Sequence, residues 1–281
     1  MHIGEIFAFL SAIFWAIGAG FYKKGLETTD VWSGNLMRTG FTSLGFIIFM
    51  VLNDSLIESI NALTLELVFW LIFSAFFAFF LGDVLYLASI KECGVAKAVP
   101  ISSTYPIFVS VWSFLLFGKL SLYVLFGAIL IVMAIKLISK GEEKNSLKGI
   151  FLAISASISW SLSITVLELL TSYLPSEAVA GFRFIIAFMF LNLIVAKNGF
   201  NFSWNSLLWM GVGGMFVMVL GNYVFVEAIK LIGSAKVSPI SAVYPILSAV
   251  FAGTVLREKI TLRIIAGTLL SFAGVLLVLT G

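Results

Sequence analysis

The ionisable side chains that could do chemistry within long apolar segments include Asp83, Glu227, Arg38 and Arg183. A charged side chain at bilayer depth costs about 2.5–3.5 kcal/mol even on gentle insertion scales. Asp83 is therefore expected either to face a cavity or to pair with Arg38 or Arg183. In a cavity, Asp83 could bind and release protons, and Glu227 is a second candidate for the same role.

The two arginines are open to two interpretations. Each lies five or six residues into its segment, shallow enough for the side chain to snorkel to the membrane interface. If the side chains point inward instead, they would attract a carboxylate or phosphate group. Asn222 follows Gly221 as Asp83 follows Gly82, so it is a further candidate for a cavity.

Two proline-rich stretches offer free backbone carbonyls and hydroxyl groups. A proline inside a helix leaves the carbonyl four residues earlier without its hydrogen bond. Such irregular backbone is tolerated at membrane depth where it lines a cavity or is buried in protein, although kinks that only fit the bundle would look the same. The candidates from these stretches are Pro100, Ser102, Tyr105, Pro106, Pro239, Ser241, Tyr244 and Pro245. Aromatic walls could come from Trp15, Trp160, Tyr86 and Phe225, although the chain has 28 phenylalanines and most rings must be packing.

The elements that hold these residues are apolar helices. Apolar residues make up 61% of the chain and charged residues 11%, against about a quarter charged in soluble domains. Ten segments have roughly the 17–25 residues that a membrane helix needs. They are 4–22, 33–52, 66–88, 96–117, 121–139, 147–170, 178–196, 206–228, 236–256 and 262–280. The sequence thus predicts an all-α membrane protein with ten transmembrane helices.

The chain repeats itself. Residues 82–106 match residues 221–245 at a shift of 139, while Trp15 and Arg38 match Trp160 and Arg183 at a shift of 145. A polar linker separates the two predicted five-helix units, 1–140 and 146–281. Because five is odd, the second unit must enter the membrane from the opposite side, which gives inverted repeats.

These features resemble the drug/metabolite transporter superfamily, and within it the EamA-like members. The resemblance depends on the Trp in the first helix of each half, on Ala-x-x-x-Pro-Ile-x-x-x-x-Pro at 96–106 and 235–245, and on the turn 257–261 with its Glu-x-x-Thr form. Gly118 departs from the family, which usually has Glu there. The resemblance implies a secondary active transporter in the cell membrane that moves a small organic metabolite, such as an amino acid, by alternating access, and most simply an exporter.

Other classes find less support. The chain has one cysteine, Cys93, one histidine, His2, no Walker A motif and a net charge of +3, so we expect no metal, cofactor or nucleic acid. The alternatives are a membrane-embedded enzyme, or a channel or scaffold without transport. Small residues in the eighth and tenth helices would serve either packing within one chain or a homodimer.

The orientation of the termini is open. Nine basic residues without a match in the other half all fall at odd-numbered loops, which predicts that those loops are cytoplasmic and the termini outside. The resembled family more usually has both termini inside.

Overall fold

A computed structural model describes residues 3–105, 107–108, 111–112, 122–139, 144–164, 166–232, 237, 240–241 and 243–280. All regular structure in these residues is helical. In chain order the helices are α1 (Ile3–Gly25), α2 (Val31–Leu52), α3 (Ser55–Asn61), α4 (Leu65–Ala75), α5 (Asp83–Cys93), α6 (Val95–Ser102), α7 (Leu122–Ser139), α8 (Lys144–Ile164), α9 (Leu167–Thr171), α10 (Ser176–Asn198), α11 (Trp204–Ser206), α12 (Gly214–Ile232), α13 (Tyr244–Thr254) and α14 (Leu262–Thr280). Two π-helical segments, Phe76–Gly82 and Leu207–Gly213, join α4 to α5 and α11 to α12.

The helices form a multi-pass membrane protein. Large apolar side chains are exposed along the outer surface, including Leu65 at 88% and Leu262 at 83%, as lipid would require and water would not favour. Shorter apolar helices accompany the long ones at Ile129–Ile138, Tyr244–Thr254 and Leu262–Leu277. In the described part of the chain, six helical stretches are long and apolar enough to cross a bilayer: Ile3–Gly25, Val31–Leu52, Leu65–Cys93, Ser146–Thr171, Ser176–Asn198 and Trp204–Ile232.

The helix ends differ from the predicted ones where polar residues stay in the helix. The predicted segment 66–88 continues to Cys93, and the segment 206–228 continues to Ile232. Both stretches contain a π-helical segment. Hydrophobicity does not reveal such a segment, because a π-helical turn can be as apolar as the α-helical turns around it. Helix α3 was not predicted at all, since its seven residues are too few for a membrane helix.

The most extensive helix contacts join the first half of the chain to the second. Helix α1 packs on α12, and α5 packs on α8. Helices α2 and α10 pack on each other, as do α7 and α14, and α6 and α13. Small residues permit the closest of these approaches: a Cβ atom on Gly267 would lie 2.4 Å from the side chain of Ile138. The small residues of α14 therefore serve packing within this chain.

The loop after α13 reaches across to the first half and caps α6. The carboxylate of Glu258 accepts hydrogen bonds from the amides of Val95 (3.0 Å) and Ala96 (2.9 Å), which have no partner within their own helix. Gly94 precedes them with φ +80°, and a Cβ atom there would lie 3.0 Å from the Glu258 carboxylate. A side chain at Gly94 would thus disturb this contact between the halves.

Aromatic stacking fills the centre of the molecule. The rings of Phe79 and Phe184 are stacked with centroids 3.9 Å apart, and Phe46 stacks on the other face of Phe184 at 5.8 Å. These residues belong to the first π-helical segment, α10 and α2. The stack fixes the positions of three elements that border the cavity described next.

Candidate functional site

A cavity of about 120 Å³ lies between the two halves of the chain. Most of its walls come from residues that match each other in the sequence repeat. In seven pairs, two residues that lie 145 or 139 positions apart border the same cavity. The seven such pairs are Trp15 and Trp160, Tyr22 and Leu167, Arg38 and Arg183, Phe79 and Met218, Asp83 and Asn222, Tyr86 and Phe225, and Tyr105 and Tyr244. The lining is completed by Ala78, Ser163 and Ile164.

The first π-helical segment positions Asp83. A π-helix widens the turn, so that some carbonyl groups lose their usual helical partner. Three side chains from other helices supply partners instead. The carbonyl of Phe77 accepts from the hydroxyl of Ser159 (2.6 Å), and that of Phe79 accepts from the amide of Asn35 (3.1 Å). The indole Nε1 of Trp160 donates to the carbonyl of Ala78 (3.2 Å). Asp83 directly follows this segment and lines the cavity.

Asp83 forms a buried ion pair with Arg38. The Nη2 atom of Arg38 donates to the Asp83 carboxylate, and the two side chains are 5% and 1% exposed. The same Nη2 donates to Oδ1 of Asn35 (2.6 Å), while Oδ1 of Asp83 accepts from Trp160 Nε1 (3.1 Å). The guanidinium lies 4.8 Å from the centre of the Tyr22 ring. The pair is therefore held by contacts from four helices.

Arg183 has the matched position but a different environment. Its Nη2 donates to the hydroxyl of Ser163 at 2.9 Å, and its guanidinium lies 4.7 Å from the centre of the Phe79 ring. Its Nε has no hydrogen-bond partner among the residues that the structure describes, and Arg183 is only 4% exposed. Within the described residues, Arg183 forms no ion pair with a carboxylate. The position of the second half that matches Asp83 is Asn222, which carries no charge. The side-chain amide of Asn222 donates to the carbonyl of Met218 in its own helix (3.0 Å).

The charges of the lining do not cancel. Arg38, Arg183 and Asp83 all face the cavity, so the charged groups of the described lining sum to one positive charge. The interpretation that both arginines snorkel to the interface is wrong, because both are buried. Between the two partners offered for Asp83, the structure selects Arg38.

Aromatic rings meet in matching contacts at opposite sides of the cavity. Trp15 and Phe225 have ring centroids 4.8 Å apart, and Trp160 and Tyr86 have centroids 5.0 Å apart. The first contact joins α1 to α12, and the second joins α8 to α5. Tyr244 adds an edge-on contact to Trp15 at 5.8 Å. The walls can thus accept an apolar or flat body beside the charged groups.

Five predicted residues lie outside the described lining. Pro100 is inside α6 and its carbonyl accepts from Ser271 of α14 (3.2 Å), while Ser102 donates to a carbonyl of its own helix. Pro245 lies in the first turn of α13, where the missing amide costs little, and Ser241 is buried. Glu227 accepts a hydrogen bond from a serine hydroxyl at 2.7 Å. Pro106 and Pro239 lie outside the described residues.

Seven lining residues were missed by sequence reasoning: Tyr22, Ala78, Phe79, Ser163, Ile164, Leu167 and Met218. A usable signal existed for the two polar ones. Tyr22 follows Trp15 by seven residues and Ser163 follows Trp160 by three, spacings that place side chains on one face of a helix. Phe79 and Met218 carry no such signal, because they are ordinary apolar residues in apolar helices.

Comparison with known proteins gives a consistent result. The model of a family described as the EamA-like transporter family matches residues 2–140 and again 147–280. An uncharacterized transporter of Archaeoglobus fulgidus is 34% identical over 270 residues, which cover 96% of this chain and 95% of that protein. Protein LicB of Haemophilus influenzae is 24% identical over 98% of this chain and 97% of its own length. A solved crystal structure, 15% identical, aligns with 98% of this chain and 94% of its own at a TM-score of 0.68, which shows a shared fold.

Proposed function

The chain belongs to the EamA-like transporter family, and on that premise we propose that it is a secondary carrier of a small organic solute in the cell membrane. In this proposal ten transmembrane helices form two inverted five-helix repeats, 1–140 and 146–281. The cavity between them opens to one side of the membrane and then to the other. The solute is a small metabolite such as an amino acid or a related compound, and the direction is export.

The observation that carries the proposal is the pairing of the cavity walls. Seven positions of the first half and their seven counterparts in the second border one cavity. Two of the most extensive helix contacts match each other in the same way. Helix α1 of the first half packs on α12 of the second, and α8 of the second half packs on α5 of the first. Inverted repeats related by an axis in the membrane plane produce this pattern, and in such carriers the solute site lies at the repeat interface.

The size of the cavity limits the solute. An engineered cavity of about 150 Å³ holds a single benzene molecule, and the present cavity measures about 120 Å³. On that scale a solute of about five or six non-hydrogen atoms fits without further opening. The smallest amino acids and small carboxylic acids or amines are in this range, whereas larger amino acids and most drugs would require the helices to separate.

Proton coupling through Asp83 is part of the proposal. In the described arrangement the carboxylate accepts hydrogen bonds from Arg38 and Trp160. Protonation would remove the attraction to Arg38 and so weaken a contact between α2 and α5. We expect a protonophore that collapses the pH gradient to stop export from intact cells. Export that continues unchanged would refute coupling but not the carrier.

The carrier is tested by filling its cavity. Ala78 lines the cavity and is buried, so the variant Ala78→Phe should block it, whereas Leu44→Phe changes a side chain that is 52% exposed to lipid. Metabolites in the medium are compared for cells that express wild type, either variant, or no protein. A solute should accumulate with wild type and Leu44→Phe and be lost with Ala78→Phe, whose folding is checked by size-exclusion chromatography. If no solute distinguishes wild type from cells without the protein, the proposal fails.

A further inference from the structure

Arg183 is the feature that the proposed carrier leaves unexplained. Both arginines of the matched pair are buried against an aromatic ring and face the cavity. Arg38 is neutralised by Asp83, whereas the hydrogen bond that Arg183 makes within the described residues goes to the neutral hydroxyl of Ser163. The hydroxyl of Ser163 is also 2.7 Å from that of Ser74, which fixes its orientation. Arg183 is thus held at the cavity wall, and it forms no ion pair in the described part of the chain.

A buried charge of this kind requires a partner. The guanidinium group stays protonated in proteins, so Arg183 cannot lower the cost of burial by losing its proton. Removing a charge from water costs several kcal/mol unless a counter-charge and hydrogen bonds replace the solvent. Its Nε and part of its remaining N–H groups have no protein partner within the described residues. A planar guanidinium with free N–H groups matches the two oxygens of a carboxylate.

We propose that Arg183 binds the carboxylate group of the transported solute, so that the substrates of this carrier are small organic acids or amino acids rather than amines or neutral compounds. The inference rests on the proposed function and names its substrate class. The charge of the lining supports it, because one positive charge remains after Arg38 and Asp83 neutralise each other. A single carboxylate brings the cavity to neutrality, while a cationic solute would meet repulsion.

The remaining walls define the rest of the solute. Phe79 lies on one side of Arg183, at 4.7 Å from its guanidinium. The matched aromatic contacts of Trp15 with Phe225 and of Trp160 with Tyr86 supply apolar surface around the cavity. With a volume of about 120 Å³, the cavity accommodates a carboxylate joined to a few carbon atoms.

The test compares matched probes on the purified full-length protein. Isobutyrate is paired with isobutyramide, and alanine with alaninamide, so that each pair differs at the carboxyl group. Binding is followed by the increase in melting temperature across a concentration series. We expect at least one carboxylate to stabilise wild type more than its amide. Arg183→Gln should weaken that binding roughly 10- to 100-fold, as expected for loss of charge-assisted hydrogen bonds.

Two further variants make the outcome decisive. Lys197→Gln removes a positive charge from the exposed end of the same helix and should bind as wild type does. Arg183→Lys keeps the charge and should recover part of the binding if Arg183→Gln proves unstable. Equal stabilisation by amides, no stabilisation by either carboxylate, or undiminished binding by Arg183→Gln would each overturn the inference. The carrier itself would still stand if export sensitive to Ala78→Phe were found for a neutral or cationic solute.

Discussion

Removal of the charge on Asp83 should destabilise the protein more than removal of any exposed carboxylate. Asp83 and Arg38 form an ion pair whose side chains are 5% and 1% exposed. In Asp83→Asn the guanidinium stays charged but loses its counter-charge, and breaking a buried pair in this way costs about 3–5 kcal/mol. At about 2 °C per kcal/mol, the lower end of the range for chains above 150 residues, the melting temperature should fall by about 6–10 °C.

The assay is the melting temperature of purified protein in one detergent, and the chain offers a matched control. Lys148 and Glu92 form an ion pair of 2.6 Å whose side chains are 63% and 27% exposed, so Glu92→Gln should cost less than about 1 kcal/mol. The double variant Arg38→Met, Asp83→Leu removes both buried charges and should recover most of the loss. A decrease for Asp83→Asn no larger than that for Glu92→Gln would show that the buried pair is absent from the folded protein.

Three further predictions follow from close contacts and charge. Gly82→Ala would place a Cβ atom 2.5 Å from an indole carbon and 2.6 Å from a backbone oxygen, so the melting temperature of this variant should fall by several degrees. In the control Gly211→Ala the Cβ atom would lie 3.2 Å from a phenyl ring, and the melting temperature should change little. Glu258→Gln weakens the cap on the two amides of α6 and should speed the alkylation of the neighbouring Cys93 by a maleimide about threefold to tenfold; an unchanged rate would show that the cap does not hold this end closed. Asn222→Asp adds a negative charge to the cavity and should weaken isobutyrate binding roughly tenfold; unchanged binding at constant pH would contradict an electrostatic site.

The sequence predicts the membrane helices well because the hydrophobicity of a long segment determines whether it can cross a bilayer. A bilayer requires long apolar segments, and each of the six long stretches in the described part of the chain overlaps a predicted segment. It does not predict the π-helical segment before Asp83. That segment is stabilised by side chains of Asn35, Ser159 and Trp160, which lie in other helices. Its formation therefore depends on tertiary contacts, which no local pattern records.

Tertiary contacts also decide which of the predicted site residues line the cavity. Repetition identified Trp15, Arg38 and their counterparts because both copies of these matched positions border the same cavity. The proline stretches divide in the same way. Tyr105 and Tyr244 line the cavity, whereas Pro100, which repeats as faithfully as Trp15, lies outside the lining and its own carbonyl accepts a hydrogen bond from Ser271 of α14. Repetition alone shows that both halves need a residue, and only the three-dimensional arrangement shows whether the need is structural. The choice of Arg38 over Arg183 as the partner of Asp83 was open in the sequence for this reason.

The mismatches between the halves have an energetic meaning in the proposed carrier. If the two halves were identical, the states open to either side of the membrane would be related by the pseudo-two-fold axis and would have equal energy when empty. Every unmatched interaction shifts that balance. The pair of Arg38 with Asp83 has no equivalent at Asn222, and the cap by Glu258 has none at Gly118, which lacks a side chain. An asymmetric carrier thus arises from a symmetric fold through a few substitutions, and the same substitution that biases the states leaves Arg183 free to bind an anion.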